Sequence, residues 1–198
     1  VKSGSVSVTT KDATLTVKQT PLKITGQPVS GNATLGNIVK LTVTAQGDDL
    51  KYYWYYRTSS TGEWKTSADT GHSTKTLSVT VSADRQKYEY CCVVADAWGN
   101  SVTSNIVRVT QTLKITAQPV SATAASGKDV TFTVTASGYQ LTYQWKYLDV
   151  DGKWKNTSLT GYNTKTLTVN AQLKRDGKQY KCVITDGNGV SITSNAVT

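Results

Sequence analysis

Few side chains in this sequence are of types that do covalent or acid–base chemistry. There is one histidine, His72, and there are three cysteines, Cys91, Cys92 and Cys182. A general base needs a positioned partner, and the position matching His72 in the second half of the chain holds Tyr162. His72 therefore reads as a loop residue. A zinc site needs about four His, Cys or carboxylate ligands at characteristic spacings, and one histidine with no Cys-x-x-Cys does not supply them. Asp149-Val150-Asp151-Gly152 opens like a calcium loop, but its twelfth residue is Thr160 where a bidentate Glu is needed. Asp-Gly instead reads as a hairpin turn. Asp96 and Asp186, each close before a Gly, read as turn-fixing residues. These residues imply no catalytic group, no metal and no cofactor, and the expectation is a protein that is not an enzyme.

Composition narrows the class. The 198 residues carry a formal charge of +9, enough for a nucleic-acid reading on charge alone. No Arg cluster or nucleic-acid motif accompanies it, and the lysines are scattered, so a solvated surface is expected and nucleic acid is not an expected partner. No apolar run approaches the ~18 residues of a membrane span. Met is absent, which reads as a mature or excised fragment whose signal peptide lies elsewhere. Thr, Val and Tyr in short alternating runs predict an all-β protein.

The elements that position these residues come in two copies. Leu22-Lys23-Ile24-Thr25-Gly26-Gln27-Pro28-Val29-Ser30 returns as Leu113-Lys114-Ile115-Thr116-Ala117-Gln118-Pro119-Val120-Ser121. Gly62-Glu63-Trp64-Lys65 returns as Gly152-Lys153-Trp154-Lys155. Thr70-Gly71-His72-Ser73-Thr74-Lys75-Thr76-Leu77 returns as Thr160-Gly161-Tyr162-Asn163-Thr164-Lys165-Thr166-Leu167. Ser101-Val102-Thr103-Ser104-Asn105 returns as Ser191-Ile192-Thr193-Ser194-Asn195. A fixed-period repeat of this size is a tandem array. The expected division is a segment 1–18, a domain 19–110 and a domain 111–198. Ser5-Val6-Ser7-Val8 and Thr14-Leu15-Thr16-Val17 look like the closing strand of a preceding repeat, or a tail. Val109-Thr110-Gln111-Thr112 joins the domains without Gly/Ser flexibility, which favours a semi-rigid end-to-end array.

Each copy holds about seven short strands with turn residues between them, the pattern of a two-sheet antiparallel sandwich. Pro28 demotes the first strand to an edge strand with a break. Val39, Leu41 and Val43 alternate inward, as do Leu77 and Val79. Eleven residues after Val43 and Val134 stand Trp54 and Trp145, each at the centre of an alternating strand. Tyr90-Cys91-Cys92 and Tyr180-Lys181-Cys182 follow.

This order resembles immunoglobulin-like domains over essentially the whole of both repeats. The resemblance implies that Trp54 and Trp145 take the core Trp position. It makes Tyr90 and Tyr180 the tyrosine corners, with Cys92 and Cys182 at the second half-cystine. Val43 and Val134 stand where the first half-cystine belongs, so the inter-sheet disulfide cannot form. With Gln-Pro-x-Ser and Gly-x-Trp-Lys, the pattern is similar to bacterial Ig-like repeats of large secreted or wall-attached surface proteins. The resemblance implies a non-catalytic spacer and display segment, extracellular, with neighbouring repeats of the same chain as partners and a host glycoprotein or glycan as a further partner. A dedicated module recognising host protein or glycan, and accessory domains of an extracellular polysaccharide-degrading enzyme, are the alternatives.

Strand alternation separates fold from candidate site. Tyr52, Trp54 and Tyr56 face the core, so Tyr53 and Tyr55 point out. On the neighbouring strand Cys91 and Val93 point out. The second copy has Gln144, Lys146 and Lys181 where the first has Tyr53, Tyr55 and Cys91, and Asn188 where the first has Trp98. Tyr53, Tyr55, Cys91, Val93 and Trp98 form the candidate binding patch, since exposed aromatics concentrate at binding surfaces. Trp64 and Trp154, beside Gly hairpins, and Lys146 and Lys181 are secondary candidates for a sugar or an acidic ligand. An exposed Cys91 would be oxidisable.

Overall fold

The computed structural model describes residues 5, 7 and 11–198. The first sandwich holds β1 (Lys23–Gly26), β2 (Gly31–Ala33), β3 (Ile38–Thr42), β4 (Thr44–Gln46), β5 (Lys51–Arg57), β6 (Lys65–Thr66), β7 (Thr76–Thr80), β8 (Glu89–Ala95), β9 (Ser101–Thr103) and β10 (Val107–Gln111). The second holds β11 (Lys114–Ala117), β12 (Asp129–Thr133), β13 (Thr135–Ser137), β14 (Thr142–Leu148), β15 (Trp154–Asn156), β16 (Thr166–Asn170), β17 (Tyr180–Thr185) and β18 (Ser191–Thr193). The extra segments over the expected seven are strands interrupted by irregularities. β3 and β4 form one path broken at Val43, and β9 and β10 one path broken at Ser104–Ile106.

In the first sandwich β1 pairs with β4 and β3 with β7, while β2-β10-β8-β5-β6 forms the opposite sheet. The chain thus changes sheets between β1 and β2, at Gln27-Pro28. Proline removes a ladder donor and a strand cannot run through it. The flanking side chains compensate from the other direction. The Asn105 N–H donates to Gln27 Oε1 at 2.8 Å and the Arg108 N–H to Ser30 Oγ at 3.0 Å. Gln118 and Ser121 repeat these bonds with Asn195 and Thr198. The repeated Gln-Pro-Val-Ser motif is thus a strand break with its own docking groups.

A second repeated motif closes the core. The Trp54 indole N–H donates to the Thr74 carbonyl at 3.0 Å, and that of Trp145 to Thr164 at 2.9 Å. From the same loop His72 accepts the Trp54 backbone N–H, and Lys75 accepts that of Val43. The loop therefore ties β5 in one sheet to the Val43 break in the other. Its shape requires Gly71, whose φ is +87°, because a Cβ there would lie 2.0 Å from the Thr76 carbonyl oxygen. Gly161 stands in the same position beside Thr166. The Thr74 hydroxyl bonds the Gly71 and Thr76 carbonyls, locking the turn.

Around each Trp lies a separate apolar core. Leu41, Val43, Leu77, Val79, Tyr90, Cys92, Val94 and Val109 surround Trp54. Phe132, Val134, Leu167, Tyr180, Cys182 and Ile184 surround Trp145. Val43 and Val134 fill the first half-cystine position as fully buried apolar residues, and the cysteines Cys92 and Cys182 are free. The tyrosine-corner role implied for Tyr90 is not what the fold shows. Its ring is buried, but its hydroxyl finds no hydrogen-bond partner among the described residues, and burial pushes its pKa up from the ordinary phenol value.

At the other end, Thr14–Val17 forms no strand, and Leu15 and Val17 are 88% and 65% exposed. Val6 and Val8 lie outside the described residues.

Candidate functional site

The six-stranded sheet of the first sandwich, in which β9 also pairs with β8, carries most of the patch expected from the sequence. β5 and β8 run antiparallel in the register Tyr53↔Val93, Trp54↔Cys92 and Tyr55↔Cys91. Alternation then places Tyr53, Tyr55, Cys91 and Val93 on one outer surface. Tyr53 is 42% exposed, and Tyr55 and Val93 are half-buried.

Two members depart from the expectation. Cys91 faces outward but is buried, at 5% exposure. Its side chain is short, and it stands directly opposite the larger Tyr55. Burial pushes the thiol up to about 11, well above the ordinary 9.0, so it is not the oxidisable surface group expected of an exposed cysteine. Trp98 is 51% exposed but lies beyond the end of β8, in the turn that Asp96 organises. The Asp96 carboxylate accepts the backbone N–H groups of Trp98 and Asn100, each at 2.9 Å. The indole N–H of Trp98 donates to Asp48 Oδ2, which also accepts the Thr20 N–H, both at 2.9 Å. Trp98 thus caps the end of the sandwich where the chain arrives. Asp186 builds the matching turn in the second sandwich, accepting from Asn188 and Val190.

Three of the secondary candidates, Trp64, Trp154 and Lys181, are engaged within the fold. Trp64 lies under the Arg57 guanidinium at 4.7 Å, and Trp154 under the Lys181 ammonium at 4.1 Å. Such cation–π contacts hold a Trp flat against its sheet. Trp64 keeps 37% of its surface exposed and Trp154 is half-buried. Lys181 and Lys146 are half-buried too. Lys155 pairs with Asp149, and with Asp151 at 3.2 Å. That ion pair gives the Asp149–Gly152 hairpin its internal partner.

One feature escaped the sequence reading. Glu89, only 6% exposed, sits on the outer face between Arg57 and Arg108. Arg57 holds it through Nε and Nη2, both at 2.6 Å. Burial alone would raise the Glu89 carboxyl, but its bonds to Arg108 and Arg57 outweigh that and hold it below its ordinary value. Arg57 therefore bridges Glu89 and the Trp64 ring. The second copy has Leu148, Gln179 and Thr198 at the matching positions. The available signal was that three charges of the first copy fail to repeat.

Among the described residues no group of three metal-binding side chains converges. His72 is exposed at the surface of the Trp-tethering loop, where its Nδ1 faces the Asp69 carbonyl. Among the described residues no helix is long and apolar enough to cross a membrane.

Comparison with known proteins places the fold. No family model matches the sequence. A stretch of 76 residues is 42% identical to part of Endoglucanase C of Cellulomonas fimi, covering 38% of this chain and 7% of the endoglucanase. Extracellular domains 3–5 of Drosophila OTK superpose with a TM-score of 0.53 at 23% identity, over 89% of this chain and 60% of that one. The four N-terminal Ig domains of Dscam1 isoform 9.44 give 0.54 at 21%, over 92% of this chain and 46% of that one. Titin fragment I67–I69 gives 0.51 at 14%, over 91% and 65%. The chain is therefore two tandem immunoglobulin-like β-sandwiches, and it spans only a small part of the endoglucanase and about half of these structures.

The burial of all three thiols has a direct test. Burial raises Cys92 to about 12 and Cys182 to about 11. At pH 8 the native chain should give no fast reaction with a thiol reagent such as DTNB, and three equivalents after denaturation. One native equivalent, assigned to Cys91, would contradict its placement. Because these thiols hold their protons in the fold beyond the ordinary range, stability should fall as pH rises above that range.

Proposed function

We propose that this chain is a non-catalytic, semi-rigid spacer segment of a larger secreted or surface protein, presenting neighbouring modules at a fixed distance. The observation that carries this reading is the junction. β10 ends at Gln111 and β11 begins at Lys114, so two residues separate the sandwiches. Those residues are not free. The Thr112 N–H donates to the Ala33 carbonyl, and its hydroxyl to Asn32 Oδ1, both at 3.1 Å. Thr110 is buried, and Asn188 of the second sandwich donates to its hydroxyl at 3.2 Å. A junction held from both sides lacks the freedom of a Gly/Ser linker. Residual dipolar couplings should give one alignment tensor for both sandwiches, and inserting Gly-Ser-Gly-Ser after Thr112 should separate them. Two tensors in the unmodified chain would overturn the spacer reading.

The matching stretch in Endoglucanase C favours a second reading within the first: accessory domains beside a polysaccharide-degrading enzyme. In that setting Tyr53, Tyr55 and Val93 form an apolar strip suited to a sugar chain, with Trp98 at its end. Bacterial wall attachment and binding of a host glycoprotein belong to the same proposal of a surface display segment and rest on the sequence resemblance alone. Affinity electrophoresis in a soluble glucan separates the two. Retardation that disappears in the double variant Tyr53→Gln, Tyr55→Lys supports the sugar strip; unretarded migration of the unmodified chain removes it and leaves the spacer.

A further inference from the structure

The sheet β15-β14-β17-β18 of the second sandwich has an outer face with cations and no anion. Its four strands contain no Asp or Glu. Alternation sets Gln144 and Lys146 of β14 on this face, with Lys181 of β17 on one side and Trp154 of β15 on the other. Lys146 and Lys181 stand directly opposite each other in the β14–β17 register. Side chains paired in this way leave the sheet about 5 Å apart at Cβ, and like charges there oppose each other. Both lysines are half-buried, so their stems lie along the sheet and their ammonium groups stay at its surface. The salt bridges of the second sandwich belong instead to Lys155, at the hairpin. Lys181 reaches across β14 to bring its ammonium within 4.1 Å of the centre of the Trp154 ring.

The first sandwich shows what completes such a face. Its outer cations Arg57 and Arg108 close on Glu89, so their charge is answered within the chain. The second sandwich sets its two cations at the next outward positions of the same two central strands and provides no carboxylate between them. Opposing two ammonium groups costs the sheet stability, and a carboxylate arriving between them recovers it through charge-assisted hydrogen bonds. The neighbouring groups narrow the kind of anion. Gln144 donates its amide to the Trp145 carbonyl at 2.7 Å, which leaves its Oε1 as an acceptor. Asn156, exposed, stands opposite Lys146 on β15. Neutral amides and one indole around two ammonium groups suit a sugar ring that carries a carboxylate. A nucleic acid draws its affinity from several phosphate contacts along a track of cations, and this face has two lysines.

We propose that the outer face of the second sandwich binds a carboxylated polysaccharide, with one uronic-acid carboxylate seated between Lys146 and Lys181 and the adjoining ring against Trp154. Gln144 and Asn156 take hydroxyl groups of the same sugar. On binding, the Lys181 ammonium exchanges the indole for the carboxylate and uncovers the Trp154 ring for the sugar. The chain's formal charge of +9 adds attraction at longer range. The site is separate from the junction and from the Tyr53–Tyr55 strip, so it stands or falls independently of the spacer and accessory-domain readings.

Calorimetric titration of the 198-residue chain with a galacturonate oligomer tests it, in about 0.15 M salt, where a screening length of about 8 Å suppresses attraction to scattered charge. The expected result is saturable binding that weakens about tenfold in the double variant Lys146→Gln, Lys181→Gln, the scale of two partly exposed charge contacts. Lys128→Gln with Lys174→Gln removes the same charge from exposed residues off this face and should change the affinity less than about twofold. Lys146→Gln alone should weaken binding while leaving the melting temperature unchanged or higher, because it relieves the like-charge pair. That result separates loss of the ligand from loss of the fold. Tyr53→Gln with Tyr55→Lys should bind the oligomer as the unmodified chain does. No binding by the unmodified chain, equal weakening in the two double-lysine variants, or equally tight binding of polyglutamate would each overturn the proposal.

Discussion

The tether between each core Trp and the loop that follows the hairpin is the interaction on which both sandwiches depend. Immunoglobulin-like domains are described with a disulfide joining the two sheets behind the Trp, and neither sandwich has one. Here the Thr74 carbonyl accepts the Trp54 indole N–H while the neighbouring Lys75 carbonyl accepts the Val43 N–H. One short loop thus holds a residue from each sheet at the place where a covalent bridge would stand. Thr164 and Lys165 do the same for Trp145 and Val134. A hydrogen bond contributes only about 1 kcal/mol net, less than a disulfide's typical 2–4. The tether therefore works as a positioning device, and the close-packed Val, Leu and Trp side chains supply the main stabilisation.

Comparing the two copies separates what builds the fold from what distinguishes one domain. The strand break at Gln27-Pro28, the tethering loop and the Ser104 bonds to the Cys92 backbone, N–H and C=O alike, all repeat in the second copy. The outer face does not. The first sandwich sets Tyr53, Tyr55 and the Arg57–Glu89–Arg108 cluster there, and the second sets Gln144, Lys146 and Lys181. Even the Trp residues that both copies share are held differently, by a cation from β5 in one and from β17 in the other. The same sheet geometry accepts either solution because outward positions are constrained by their neighbours and not by the core.

The architecture was legible because apolar alternation and turn residues are local signals, and because the repeat doubled each of them. Val43, Trp54, Cys92, Val134, Trp145 and Cys182 all lie in the cores where alternation places them. Alternation gives direction but not depth, and Cys91 shows the difference: it points outward and is still covered, because cover depends on the height of side chains on adjacent strands. Trp98 shows a second limit, since a turn residue follows no strand period. The Glu89 cluster joins residues far apart in sequence, and no single window reveals it. The Thr-Gly-x-x-Thr-Lys-Thr-Leu repeat was visible as a pattern, but its role depends on a carbonyl, which no side chain announces.

Hydrogen exchange at the indole nitrogens tests the tether most directly. Five Trp residues are present in the chain, and only Trp54 and Trp145 are fully buried with their N–H groups bonded to the loop. Their indole N–H signals, and the Val43 and Val134 amides, should exchange only through global unfolding of each sandwich, at least about a hundredfold more slowly than those of Trp64, Trp98 and Trp154. Indole exchange at Trp54 or Trp145 as fast as at the exposed Trp residues, in a chain that remains folded, would show that the loop does not hold the two sheets together.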